Sequence, residues 1–78
     1  MDHYVVYKKP KDYPDEFVVR EWEIDVKEGK AQPRPKEVIA RDKDYRKVIS
    51  KMMSAVPRGL DRIDRSENDD PTILETWI

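Results

Sequence analysis

Residues 17–26 read Phe17-Val18-Val19-Arg20-Glu21-Trp22-Glu23-Ile24-Asp25-Val26. Side chains alternate between the two faces of a strand. One face therefore carries Val18, Arg20, Trp22, Ile24 and Val26, and the other Phe17 and Val19 followed by Glu21, Glu23 and Asp25. The first face is apolar along its length, with Arg20 its single charge, and the second is apolar only where the strand begins. A period-two pattern this long predicts the principal strand of a sheet.

Working towards the N-terminus, His3-Tyr4-Val5-Val6-Tyr7 is a second strand, rich in β-branched and aromatic residues. Pro10 and Pro14 close it, since neither can donate to a ladder. Working towards the C-terminus, Lys27-Glu28-Gly29-Lys30 is a turn, with Gly29 free to take positive φ. Pro33 and Pro35 stiffen the segment that follows, and two readings compete for Glu37–Ala40. As a helix extended back to Lys36 it would bring Asp42 into the apolar stripe. As a third strand it leaves Asp42 free to cap a helix, and the strand is preferred.

From Lys43 the period lengthens to 3.6. Tyr45, Val48, Ile49, Met52, Met53 and Val56 form one helical stripe, with Asp42 and Asp44 at the positive end of the dipole. Pro57 terminates the helix by forcing Val56 out of helical geometry. Gly59–Asp64 is a short edge strand, Ser66–Pro71 a polar turn, and Thr72–Ile78 a final strand. The predicted architecture is a single α+β domain. It has an antiparallel sheet of four to five strands in the order β-β-β-α-β-β, with one helix packed on one face.

Composition narrows the function. The 78 residues contain no Cys and one His, which removes disulfides, thiolate nucleophiles and Cys-ligated zinc. The longest apolar run, Tyr4-Val5-Val6-Tyr7, is far short of the roughly 20 residues of a membrane span. No export signal is visible, so the expected setting is cytoplasmic, with no membrane partner. Sixteen Lys and Arg balance seventeen Asp and Glu. A protein built to hold phosphate backbones carries a positive excess, and that balance argues against nucleic acid.

Three groups of side chains could carry chemistry. Lys43, Arg46, Lys47 and Lys51 lie on the polar side of the helix, either as a phosphate-contacting face or as an ordinary solvated one. Asp61, Asp64, Glu67, Asp69 and Asp70 crowd one segment, yet their spacing is not that of a calcium loop and Arg62 and Arg65 sit among them. Metal and cofactor are accordingly expected to be absent. Glu21, Glu23 and Glu75 could supply acid–base chemistry only by converging in a pocket, and no motif places a nucleophile. No catalytic residue is assigned.

The remaining signal is apolar. Ile73 and Trp77 share one face of the last strand, Leu74 and Ile78 the other. Four or five strands about 4.8 Å apart make a sheet roughly 20 Å wide, and one helix about 10 Å across covers half of one face. Phe17, Val19, Leu74 and Ile78 are therefore expected on an uncovered surface that binds a protein partner or makes a homodimer.

Tyr13-Pro14-Asp15 leads into Phe17-Val18-Val19-Arg20-Glu21-Trp22, Gly59-Leu60 follows the helix, and the chain closes on Asp69-Asp70-Pro71-Thr72-Ile73-Leu74-Glu75-Thr76-Trp77-Ile78. In this order of segments the chain resembles a family of short, uncharacterised bacterial and phage-associated proteins. The resemblance spans most of the chain, supports the single α+β domain and supplies no catalytic residues.

If the last segment is a core strand, deleting Glu75–Ile78 unfolds the protein. Loss of one buried aromatic costs about 3–5 kcal/mol, comparable with the stability of a small domain. The expected outcome is loss of the cooperative thermal transition followed by circular dichroism; an unchanged melt would show that the tail is not a strand.

Overall fold

A computed structural model describes residues 2–78. The elements are β1 (Asp2–Lys8), β2 (Phe17–Lys27), β3 (Lys30–Asp42), α1 (Tyr45–Ala55), β4 (Arg62–Asp64) and β5 (Ile73–Trp77). The five strands form an antiparallel sheet in the order β3-β2-β1-β5-β4, and α1 packs against one face. This is the α+β, β-β-β-α-β-β arrangement that the sequence predicts.

The β2–β3 hairpin turns through Glu28 and Gly29, whose φ values of 53° and 76° are both left-handed. Two such residues in a two-residue loop match the right-handed twist of the strands. β3 is far longer than Glu37–Ala40, beginning already at Lys30. Pro33 and Pro35 do not interrupt it because β3 is an edge strand, where a missing N–H can face outwards. Register slips twice: Val19 faces Ala40, Arg20 faces Val38 and Trp22 faces Pro35. The first slip leaves Ile39 as an extra residue, and it packs against the core.

β3 continues through Asp42, which pairs with Phe17. The N-cap is therefore Asp44 and not Asp42. Its Oδ1 accepts from the N–H groups of Arg46 at 2.8 Å and Lys47 at 3.3 Å. Asp42 instead braces the cap, taking the Asp44 N–H on Oδ1 at 2.9 Å and the Lys51 ammonium on Oδ2 at 3.1 Å. The C-cap, Val56, is extended ahead of Pro57 as expected. β5 stops at Trp77, but Ile78 and Asp61 still exchange two backbone hydrogen bonds, at 2.8 and 3.0 Å.

The core consists of Tyr4, Val6, Val19, Ala40, Val48 and Met52, with Phe17, Ile39, Tyr45, Leu60, Leu74 and Trp77 packed around it. The helix thus covers the face of β2 that bears Phe17 and Val19, the opposite of the expected side. The cause is connectivity. Only Lys43 and Asp44 separate β3 from α1, so the helix folds straight back over the apolar start of β2. Met53, which the helical stripe includes, is 45 % exposed, because the buried stripe narrows to Val48 and Met52.

Asp44 satisfies two otherwise unpaired helix donors, so Asp44→Ala is expected to cost about 1 kcal/mol of stability. Chemical denaturation measures it as a lower midpoint at unchanged slope, and an unaffected midpoint would return the cap to Asp42.

Candidate functional site

The face of the sheet opposite α1 is assembled by register. His3 stands opposite Trp22, Val5 opposite Arg20, and Tyr7 opposite Val18. Pro35, Pro33 and Ala31 continue the surface beside Trp22, Ile24 and Val26, and Thr76 and Ile63 extend it towards β4. None of these strand positions is acidic. Towards the hairpin tip the surface opens to water, and Val26 is 73 % exposed; Ile63, at the other side, is 47 % exposed.

The same stretch of hairpin has a different character on the helix side. Arg34 pairs with Glu23 at 3.1 Å and Asp25 at 2.9 Å, and Lys36 lies 4.0 Å from Glu21. Beyond the helix that face is a solvated ion-pair lattice, and the open apolar surface lies on the other side.

The β1–β2 loop folds over the near end of the open face. Its path is fixed by backbone bonds from Lys9 to Glu16 (2.9 Å) and from Tyr13 to Pro10 (3.0 Å). The Arg41 guanidinium stacks over the Tyr13 ring at 4.7 Å and lies 3.5 Å from Glu16. Val18 is buried beneath this loop. Between loop and sheet lies a cleft of about 140 Å³ lined by Tyr7, Pro10, Asp12, Tyr13, Val18 and Arg20. Trp22 Nε1 donates to the Tyr7 hydroxyl at 2.9 Å, and burial raises the Tyr7 pKa. Arg20 donates to the Lys36 carbonyl at 2.7 Å, and Asp12 stands 3.9 Å away.

The residues expected to form the docking surface lie elsewhere. Val19 is fully buried under α1, and Phe17 meets Tyr45 edge to face at 5.7 Å. Leu74, the extra residue where the β1–β5 register slips, packs against the core. Ile78 alone of the four is exposed, at 37 %. Lys43, Arg46 and Lys47 are exposed on or just before the helix, whereas Lys51 is turned back onto Asp42 and the Arg41 carbonyl. The acidic segment makes turns: Asp69 accepts from the Ser66 N–H, and Asp70 from the N–H and hydroxyl of Thr72. Those Thr72 groups hold the Asp70 carboxyl below the usual range.

Glu75 is the residue whose environment sequence reasoning missed. It is 5 % exposed, and its two oxygens accept from the Tyr45 hydroxyl and from Trp77 Nε1, each at 2.6 Å. Burial, together with this carboxylate, pushes the Tyr45 pKa up to about 12. Glu75 is thus engaged by two neutral donors from α1 and β5. An acid in a strand otherwise read as apolar was its only signal.

No protein-family model, curated protein or solved structure matches the chain. Among the described residues, no helix is long and apolar enough to cross a membrane.

Tyr45 gives up its proton less readily in the folded state. Its contribution to stability is therefore complete below pH 10 and is lost as pH rises towards 12. Tyr45→Phe is expected to remove that component of alkaline destabilisation and to cost about 1–3 kcal/mol at neutral pH, because Glu75 loses a donor. Melting curves across this pH range check both effects.

Proposed function

We propose that the protein is a small non-catalytic interaction module that docks another polypeptide on the sheet face opposite its helix. The observation that carries this reading is the row Trp22, Ile24 and Val26 flanked by Pro35, Pro33 and Ala31, an apolar strip with no element of the fold packed along its outer half. The face is favoured over the sheet edges. β3 lacks two N–H donors at Pro33 and Pro35, and β4 is three residues long with a charge at each end. Both features discourage pairing with an added strand.

Charge indicates the kind of partner. The strand positions of this face carry Arg20 and Arg41 and no carboxylate. Each guanidinium has a loop carboxylate beside it, Glu16 at 3.5 Å from Arg41 and the 71 % exposed Asp12 at 3.9 Å from Arg20. Arg20 is the more loosely countered of the two, so an apolar segment bearing an acidic residue that displaces Asp12 from it suits the surface better than a second copy does.

A photo-crosslinking side chain at Pro33, on the hairpin, is expected to yield a discrete adduct with one other protein. Unlabelled protein competes it away, and Val26→Glu abolishes it while the melting temperature stays unchanged, Val26 being largely solvent-facing. Adducts of the chain with itself, or an adduct indifferent to Val26→Glu, would overturn the reading.

A further inference from the structure

We propose that the cleft between the β1–β2 loop and β2 is a binding site for the carboxylate of a small, flat apolar acid. This goes beyond the docking face, because the cleft has its own walls and its own donors. Pro10 and Val18 are the purely apolar residues of the lining, and Tyr7, Tyr13, Arg20 and Asp12 are the lining residues that carry polar groups. The volume of about 140 Å³ suits a single six-membered ring, since an apolar cavity of about 150 Å³ holds benzene.

The two donors are held but not used up. The Tyr7 oxygen accepts the Trp22 indole N–H, which fixes the phenol and leaves its own proton to be donated. Among the described residues no hydrogen bond takes that proton. Arg20 is anchored by one bond to the Lys36 carbonyl, and a guanidinium has five N–H donors. Its nearest carboxylate, Asp12, is 3.9 Å away and 71 % exposed, so it serves as a loose counter-ion and not as a hydrogen-bonded partner. A planar carboxylate matches the planar fork of an arginine in two parallel bonds. Inorganic phosphate is a poorer fit, because Arg20 is the only cation lining the cleft. Asp12 competes with any such ligand for the same guanidinium, so the chain carries its own weak inhibitor of the site.

Benzoate is the probe. Titrated into the full chain and followed by NMR, it is expected to give saturable shifts centred on the Trp22 indole N–H and the Tyr7 and Val18 amides. For nine non-hydrogen atoms the dissociation constant should be on the order of 1 mM. Benzamide, the neutral analogue, should bind at least about tenfold more weakly, and so should benzoate to Arg20→Lys, which keeps the charge but loses the fork. Asp12→Asn removes the competitor from an exposed position that the fold does not need, and it should tighten benzoate several-fold. Equal binding of benzoate and benzamide, shifts scattered over the surface, or weaker or unchanged binding by Asp12→Asn would each overturn the proposal. The Asp12 variant decides the matter even if substitution of Arg20 disturbs the fold.

Discussion

An eleven-residue helix is about 16 Å long, while the β3 strand beside it, at thirteen residues, runs for at most about 40 Å, the longest extent of the molecule. Covering a five-stranded sheet with that one helix leaves most of two faces to be managed by other means. The tight link between β3 and α1 decides where the helix is spent, over Phe17, Val19 and Ala40 at one end of the long hairpin. The rest of the molecule answers this shortage of cover.

Each uncovered region has its own solution. On the helix side, the projecting hairpin turns polar, and Arg34 and Lys36 set against Glu21, Glu23 and Asp25 keep it wet. On the far side, the β1–β2 loop lies over Val18, and Arg41 clamps the loop through Tyr13. Where the Tyr45 side chain reaches from the helix to β5, Glu75 meets it with a carboxylate whose charge is shared between a phenol and an indole. Such an arrangement is stable only while both donors are in place. Towards the tip of the hairpin, where Val26 is 73 % exposed, the apolar row of β2 runs out from under any cover, and the functional reading rests there.

The strands and helix were legible because the period of the apolar residues changes cleanly from two to 3.6 at Lys43. What alternation cannot reveal is which side of a strand the helix will choose. Val18-Trp22-Ile24-Val26 is the more apolar row of β2, yet the helix covers the shorter row of Phe17 and Val19, because a two-residue connection outweighs total hydrophobicity. The docking surface expected at Phe17, Val19, Leu74 and Ile78 moved to the other face for that single reason. β3 was read short because its prolines signal a break unless the strand is known to be an edge, and edge position is a property of the assembled sheet. The displacement of the cap from Asp42 to Asp44 has the same origin, a strand running two residues further than its local sequence indicates. The cleft was illegible because its walls come from β1, β2 and the loop between them, and no local pattern joins Tyr7 to Arg20.

The sheet order carries a kinetic consequence. β1 sits in the middle, and of its two neighbours one, β2, follows it directly while the other, β5, is drawn from the opposite end of the domain. A nascent β1–β2–β3 meander with its helix can form from nearby residues, but Val6 meets Glu75 only after nearly the whole length of chain has closed a loop. Closures of that span slow the search for the native state. Until it happens, one margin of the central strand is bare, and a young chain is at its most adhesive there.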